Sequence, residues 1–192
     1  MKSRPILFSG AMIRAILGDS KTQTRRVLKG MALDWISTPT GFDPQFIADA
    51  GNRLCPYGNP GDHLWVREAW RTSKIADELK PSQLVGGSCS PIWYEAQEEV
   101  PFHSSDFGKL RPSMFMPRWA SRITLEITGV RVERLQDITP EDCIAEGVSG
   151  SNSMGRCDLT TSYADLWKSI NGPGSWDNNP WVWVIQFRRI TP

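Results

Sequence analysis

Near its start the chain carries an apolar helical pattern that runs into a polar, extended one. Four apolar residues recur at the spacing of one helix face: Met12, Ile13, Ile16 and Leu17. They predict a short helix that Ser9 can cap and that Gly18 can end in the left-handed conformation. The segment 22–27 that follows contains three β-branched residues, which favour an extended strand.

Four later segments have the patterns of strands. The first, 63–70, follows a Gly-Asp turn and places polar and apolar residues on alternate sides. A short strand is predicted at 91–94. The clearest alternation lies in 119–135, where Gly129 predicts a bend in one long strand or a hairpin. The apolar run 181–187 suits a strand that is buried on both faces.

Two later helices have recognisable ends. Thr139 can cap a helix whose first residue is Pro140, and the helix should end at Gly147. This leaves Glu146 in the last turn, where a carboxylate is unfavourable to the helix dipole by ~0.3–1 kcal/mol, so its role there raises a functional question. A second helix is predicted at 159–170, with four large residues on one face: Tyr163, Leu166, Trp167 and Ile170.

Composition supports one domain with its own core. The chain has 192 residues, of which 40% are hydrophobic, and a formal net charge of +1. This charge excludes a broadly basic nucleic-acid-binding surface, so a site for a polyanion has to be local. One local cluster of cations is present, at Lys21, Arg25, Arg26 and Lys29.

Several classes of protein are not indicated. No segment approaches the ~20 apolar residues that span a bilayer, so we expect a cytoplasmic protein without a membrane partner. The four cysteines lack the close pairs of a zinc ribbon, and we expect reduced structural thiols, no metal and no cofactor. Only His63 and His103 are available as histidines, and neither lies in a metal-binding or Ser-His-Asp motif.

The turn between the first helix and its strand carries a family resemblance. The residues Gly18, Lys21, Thr22, Thr24 and Arg26 resemble the signature of the ASCH domain, a PUA-like small β-barrel family associated with RNA. The stretches 61–68, 116–122 and 179–183 resemble the longer ASCH proteins of bacteriophages and prophages, which are often labelled morphogenetic proteins.

This resemblance implies a fold. We expect an α+β structure, a PUA-like/ASCH small mixed β-barrel of about six strands with flanking helices and large loop insertions. The chain would form a single domain over 1–192. Compact ASCH domains are shorter, so the insertions would lie at about 30–59, as an ordered loop, and at about 71–118.

A hydrolytic chemistry follows from residue types near the motif. The hydroxyl of Thr24 is a poor nucleophile until a base removes its proton, and Lys21 can serve as that base once burial lowers its pKa. A nearby acid can protonate a leaving amine. The resemblance implies the same set, because bacterial ASCH proteins that hydrolyse acetylcytidine use a lysine, a threonine and a glutamate. In this chain these fall on Lys21, Thr24 and Glu146.

Two other functions stay open beside a hydrolase that removes an acyl group from a modified cytidine. One is a non-catalytic protein that binds RNA or a nucleotide for a phage, and the other is an ASCH-type ribonuclease. The partner in each case is RNA or a modified nucleoside. A purely structural interpretation also exists, in which Lys21 and Arg26 bond helix carbonyls and carboxylates to fix the turn.

Candidate ligand-binding residues come from the cation cluster and from aromatic rings. Arg67 and Glu68 lie in an otherwise apolar strand, where such charges form either an internal ion pair or a ligand contact. Nine tryptophans are present, and those in loop-like contexts are the better candidates for stacking on bases. The full set of predicted ligand-binding residues is Thr22, Arg25, Arg26, Arg67, Trp35, Trp93 and Trp176.

Overall fold

Seven strands and five helices make up the regular structure of a computed structural model that describes residues 1–84, 91–97, 106–149 and 158–190. The strands are β1 Ser3–Leu7, β2 Gln23–Val27, β3 His63–Arg67, β4 Trp70–Arg71, β5 Trp93–Tyr94, β6 Thr124–Arg134 and β7 Trp181–Ile190. The helices are α1 Gly10–Leu17, α2 Met31–Ser37, α3 Pro44–Ala48, α4 Pro140–Ala145 and α5 Leu159–Asn171.

Five of the strands form one mixed sheet in the order β1-β3-β6-β7-β2. The pair β1–β3 is parallel and the other three pairs are antiparallel. The fold is therefore α+β, as the sequence predicts. The closed barrel of about six strands is wrong, because β1 and β2 remain the edges of the sheet and no ladder joins them within the described residues.

A side chain spans the two edges where a closed barrel would have a strand ladder. Arg26 Nη2 in β2 donates a hydrogen bond of 2.6 Å to the carbonyl oxygen of Leu7, the last residue of β1. Helix α1, which connects these strands, packs Ile13 and Ile16 into the same core as Ile6 of β1. The opening is thus filled by a helix and an arginine rather than by backbone pairing.

Strand β7 is buried on both faces, which confirms the prediction from its apolar run. Trp183 and Ile185 belong to the larger core, which also contains α1. Val182 and Val184 point to the opposite face and pack with residues of α4 and α5. The period of two along a strand sends alternate side chains into two separate cores.

The segment 119–135 contains one long strand, β6, from Thr124 to Arg134, rather than a hairpin, and its first residues belong to a short 3-10 helix, Arg118–Ala120. The register of β6 with β7 shifts between Ile127 and Gly129, which is the irregularity predicted there. The alternation is also confirmed, because Ile123, Leu125 and Ile127 are buried.

Helix α1 matches the prediction except at its end. The Ser9 hydroxyl accepts a hydrogen bond from the Met12 backbone N–H, as a cap should. Gly18, however, has φ −86° and donates its N–H to the Arg14 carbonyl, which continues the helical bonding pattern. The left-handed residue is the next one, Asp19, with φ 55°. The prediction that Gly18 adopts this conformation is wrong by one position.

The segment 30–59 contains two short helices, so the prediction of an ordered loop is wrong. Helix α3 starts at Pro44, and the Asp43 carboxylate caps it by accepting the Gln45 N–H at 2.6 Å. Asp followed by Pro is a start signal that the sequence already carries. The buried side of α3 is short, with Ile47 at its centre, which is why no helical period is visible.

The strand predicted at 63–70 is divided into two. Strand β3 ends at Arg67, and Trp70 begins β4, which pairs with β5 in a separate small sheet. The break falls at Glu68, whose buried carboxylate accepts two hydrogen bonds of 2.9 Å from Arg122. An internal ion pair at this position was one of the two possibilities for the charges in the strand.

Parts of the predicted insertion at 71–118 lie outside the described residues, as do residues 150–157, and these parts include Cys89, His103 and Cys157. Within the described ranges, none of the helices has the length and apolar character needed to cross a membrane.

Helix α4 and helix α5 confirm their predicted ends. Thr139 and Asp142 form the reciprocal cap of α4, with Pro140 as the first helical residue. Gly147 follows α4 with φ 86°, and Gly172 follows α5 with φ 94°. The surroundings of these two glycines differ, because a Cβ on Gly147 would lie 3.0 Å from the Ala15 Cβ, whereas a Cβ on Gly172 would meet open space.

We expect the two glycines to respond differently to alanine. Gly172→Ala should lower the free energy of unfolding by about 1–3 kcal/mol, because a backbone at φ 94° and ψ 163° is almost restricted to glycine. Gly147→Ala also has a positive φ and adds a close contact with the Ala15 Cβ of α1, so it should cost more than Gly172→Ala. Urea unfolding of both variants measures the difference, and equal losses would contradict the close approach of α4 to α1.

Candidate functional site

The centre of the site is a buried pair formed by Lys21 and Glu146. Lys21 Nζ donates to Glu146 Oε2 at 2.7 Å and to the Glu146 carbonyl oxygen at 2.8 Å. The exposed fractions of the two side chains are 0% and 3%. The Thr22 N–H also donates to the Ala145 carbonyl at 2.8 Å. Backbone and side chains together fasten the start of β2 to the end of α4.

Arg25 has a fully buried side chain that contacts three carboxylates. Its Nη1 lies 3.3 Å from Glu146 Oε1, and its Nη2 lies 2.7 Å from Asp142 Oδ2. Its Nε and Nη2 both donate to Glu133 Oε1. Each of the three nitrogens of this guanidinium therefore donates to a carboxylate of the protein.

Arg131 and Gln23 complete the cluster at its more open side. Arg131 donates to both oxygens of Asp142, at 3.0 and 2.9 Å, and to Glu133 Oε2 at 2.9 Å. Gln23 accepts from Arg131 and donates to Asp142. We name the whole cluster the ion network: Lys21, Gln23, Arg25, Arg131, Glu133, Asp142 and Glu146. Its three cations balance its three carboxylates.

The strand period explains why these residues meet. Gln23 and Arg25 are two apart on β2 and share one face of the sheet. Arg25 and Arg131 are both register partners of Val184, on opposite sides of β7, so they project to the same face. The prediction from sequence missed Gln23, Arg131, Glu133 and Asp142. The polar alternation 21, 23, 25 was the available signal for the first of them.

The pKa values of Lys21 and Asp142 are both lowered in the ion network, but for different physical reasons. Burial lowers the pKa of Lys21, the nearby charges of Arg26 and Arg25 lower it further, and attraction to Glu146 only partly offsets them. Burial by itself would raise the pKa of Asp142. The hydrogen bond from Gln23 and the charges of Arg25 and Arg131 outweigh it, so the pKa of Asp142 is lowered.

A cavity of about 560 Å³ lies beside the ion network, a size within the usual range of small-ligand sites. Four predicted site residues line it: Thr24, Arg25, Arg26 and Glu146. Thr24 is a buried residue of the cavity wall. Lys21 is not among the residues that line the cavity, but its amine is bound to the carboxylate of Glu146, which is one of them.

Helix α5 supplies a cavity residue that the sequence did not single out as part of the site. Tyr163 lines the cavity, and the Arg25 guanidinium carbon lies 5.9 Å from the centre of its ring. Burial, and then the charge of Glu146, raise the pKa of Tyr163. Its hydroxyl therefore stays protonated at neutral pH.

The other predicted ligand-binding residues are not among those that line this cavity. Thr22 has an exposed side chain, and Arg67 lies over the Trp65 ring at 4.6 Å. Each of the three candidate tryptophans packs against aromatic rings of the protein: Trp35 on Phe42 and Phe46, Trp93 on Phe107, and Trp176 on Tyr163. Trp176 thus packs on Tyr163, a residue of the cavity wall.

In residues 1–84, 91–97, 106–149 and 158–190, no group of three or more His, Cys, Asp or Glu side chains is arranged to hold an ion. Cys55 and Cys143 are buried free thiols. Burial raises the pKa of both.

Two of the solved structures are similar to this chain. The hypothetical protein PH0355 is 9% identical with a TM-score of 0.43, over 99% of this chain and 100% of that one. An ASCH domain from Lactobacillus crispatus is 9% identical with a TM-score of 0.43, over 98% of this chain and 79% of that one. No protein-family model and no curated protein matches the chain.

We expect Glu146→Gln to destabilise the protein strongly. Glutamine keeps the shape but leaves Lys21 and Arg25 short of one buried negative charge, which costs about 3–5 kcal/mol. The matched control is Glu126→Gln, whose partner Arg188 is largely exposed, and this change should cost no more than about 1 kcal/mol. Urea unfolding at neutral pH compares them, and a loss at Glu146 as small as the control would contradict the buried pair.

The lowered pKa of Asp142 also predicts how stability depends on pH. A carboxyl whose pKa is depressed in the folded state stabilises that state above its unfolded pKa, near 3.8, and loses this contribution as the pH falls through the lower folded value. Asp142→Asn should therefore be less stable than the parent at neutral pH. The difference in the free energy of unfolding between the two proteins should become smaller as the pH falls from about 5 to about 2. A difference that stays constant over this range would exclude this role of Asp142.

Proposed function

We propose that this chain is an ASCH-type hydrolase that removes an acyl group from a modified nucleoside, free or in RNA. The observation that carries the proposal is the arrangement of three groups. Thr24 and Glu146 line one cavity of about 560 Å³, and the buried Lys21 amine lies 2.7 Å from the Glu146 carboxylate. The family assignment itself rests on the motif residues between Gly18 and Arg26.

The buried pair supplies both a base and an acid. In the ion pair the mobile proton is on Lys21, and its transfer to Glu146 leaves a neutral amine and a carboxylic acid. Burial favours this transfer, because it removes two charges from a poorly solvated place. The charges of Arg25 and Arg26 also lower the Lys21 pKa and so help the amine to lose its proton.

The acyl group is then transferred to Thr24 with the help of two proton transfers. The Lys21 amine takes the proton of the Thr24 hydroxyl while the Thr24 oxygen bonds to the acyl carbon. The carbon–nitrogen bond breaks as the Glu146 acid protonates the leaving amine. These two transfers regenerate the ion pair. Water then hydrolyses the threonine ester, which releases a carboxylic acid and restores the hydroxyl.

The proposed chemistry needs the Lys21 amine to move from Glu146 towards Thr24 when substrate is bound. Hydrogen bonds of catalytic groups are often completed only in the substrate complex. Arg25 holds the second oxygen of Glu146 at 3.3 Å and can keep the carboxylate in place while the lysine moves. Arg25 is thus a positioning residue in this scheme.

A second candidate is supported by the completeness of the ion network. Lys21 and Arg25 are fully paired by protein carboxylates, which is what a structural cluster requires. In that case the cavity would bind a nucleotide or RNA without catalysis, as in a cytoplasmic phage accessory protein. An ASCH-type ribonuclease would use the same cavity on the phosphodiester.

Activity measurements separate these functions. The protein is incubated with acetylcytidine, acetylated RNA and plain single-stranded RNA, and the products are resolved by mass. We expect loss of the acetyl group. Cleavage of plain RNA would indicate a ribonuclease. The absence of any product would favour the non-catalytic binding function.

We expect Thr24→Val to lower the rate of deacetylation by ~10²-fold or more, because it removes the attacking hydroxyl, while Thr24→Ser retains activity. Thr22→Val is the matched control, since its side chain is exposed and does not line the cavity. The rate should fall as the pH rises through the lowered pKa of Lys21, because the pair then loses the one proton that Glu146 has to give to the leaving amine. Equal rates for the two valine variants would refute the role of Thr24.

A further inference from the structure

The local cluster of cations divides into two pairs with different surroundings. The cluster consists of Lys21, Arg25, Arg26 and Lys29. Lys21 and Arg25 are neutralised by carboxylates of the ion network. Arg26 and Lys29 both line the cavity, and neither forms a salt bridge with any carboxylate in the described part of the chain. The cavity therefore carries two positive charges that the described residues leave uncompensated.

Arg26 is held in place without being neutralised. Its Nη2 donates to the Leu7 carbonyl at 2.6 Å, and its guanidinium carbon lies 5.4 Å from the centre of the Phe8 ring. Its Nε is buried and has no hydrogen-bond partner among the described residues. A buried donor without an acceptor is costly, so this position favours a ligand that brings acceptor oxygens and negative charge.

The rest of the cavity is suited to a flat, partly apolar group. One wall comes from α5, with Leu166, Trp167 and Ile170, and another comes from Leu54 and Tyr57. Between them lies the Thr24 side of β2, next to the uncompensated cations. A base can pack on the apolar walls, while a charged group attached to it meets the cations at the end of the strand.

We propose that the ligand of this cavity is a nucleoside phosphate, whose phosphate group binds between Arg26 and Lys29, rather than a neutral nucleoside. The inference rests on the proposed function for the base and its acyl group, which must lie near Thr24. It adds the requirement for a phosphate. The same chemistry can come from a free mononucleotide or from the terminal phosphate of an RNA strand.

Calorimetric titration tests the phosphate requirement without any turnover. The ligands are cytidine, cytidine 5′-monophosphate and inorganic phosphate, added to the full chain. We expect the monophosphate to bind at least about tenfold more tightly than either fragment, because charge-assisted hydrogen bonds to phosphate are among the stronger polar contacts. Equal binding of cytidine and its monophosphate would overturn the inference, and so would inorganic phosphate that binds as tightly as the monophosphate.

Variants then assign the phosphate to its two cations. Lys29→Gln and Arg26→Gln should each remove most of the preference for the monophosphate. Lys74→Gln is the matched control, because Lys74 is exposed, does not line the cavity and carries the same charge. Circular dichroism checks that Arg26→Gln still folds. If this variant is unfolded, the test relies on Lys29→Gln alone. A preference that survives Lys29→Gln, or is lost equally in Lys74→Gln, would overturn the assignment.

Two further comparisons identify the source of the phosphate and separate this inference from the proposed hydrolysis. A cytidine trinucleotide with a 5′-phosphate is compared with the same trinucleotide without it. If the terminal phosphate raises the affinity of the trinucleotide as much as phosphate raises that of cytidine, the ligand is an RNA end. If only the mononucleotide gains affinity, the ligand is a free nucleotide. Deacetylation of acetylcytidine with no phosphate preference would overturn this inference alone, whereas a phosphate preference without any deacetylation would overturn the proposed hydrolysis alone.

Discussion

Six charged side chains share the space between α4 and the sheet, and each has to be neutralised there because an unpaired ion in that position costs several kcal/mol. Lys21 and Arg25 reach this space with no exposed side-chain surface. Their carboxylate partners come from β6 and from α4, elements more than 100 residues further along the chain. The packing of α4 on β2, the close approach at Gly147 and one wall of the cavity all depend on this pairing.

The same pairing decides which cations remain available to a ligand. Consecutive arginines in a strand point to opposite faces, so Arg25 enters the ion network while Arg26 turns to the other side of the sheet. There Arg26 meets Phe8 and the Leu7 carbonyl, at the opening between the two edge strands. The open edge that distinguishes this sheet from a closed barrel is therefore also where the uncompensated charge of the cavity lies.

Local signals in the sequence were sufficient for several elements. Thr139, Pro140 and Asp142 define the start of α4, because a cap and a first-turn proline act within four residues. The apolar run of β7 likewise reports burial on both faces. The helix at Pro44 could have been predicted from Asp43, but its buried side is too short to show a helical period. The division after Arg67 could not, because the Glu68 carboxylate is stabilised by Arg122, far away in sequence.

The sequence by itself determined the helices with clear caps, the central strands and the placing of Lys21 in the turn before β2, since each follows from backbone preferences and a period of two or 3.6. Only the tertiary structure decided that Glu146 lies at Lys21, that Arg25 is neutralised by three acids, and that Arg26 is not. The physical reason is that charge pairing depends on distances across the fold, through strand register and the packing of α4, which no local pattern in one chain records.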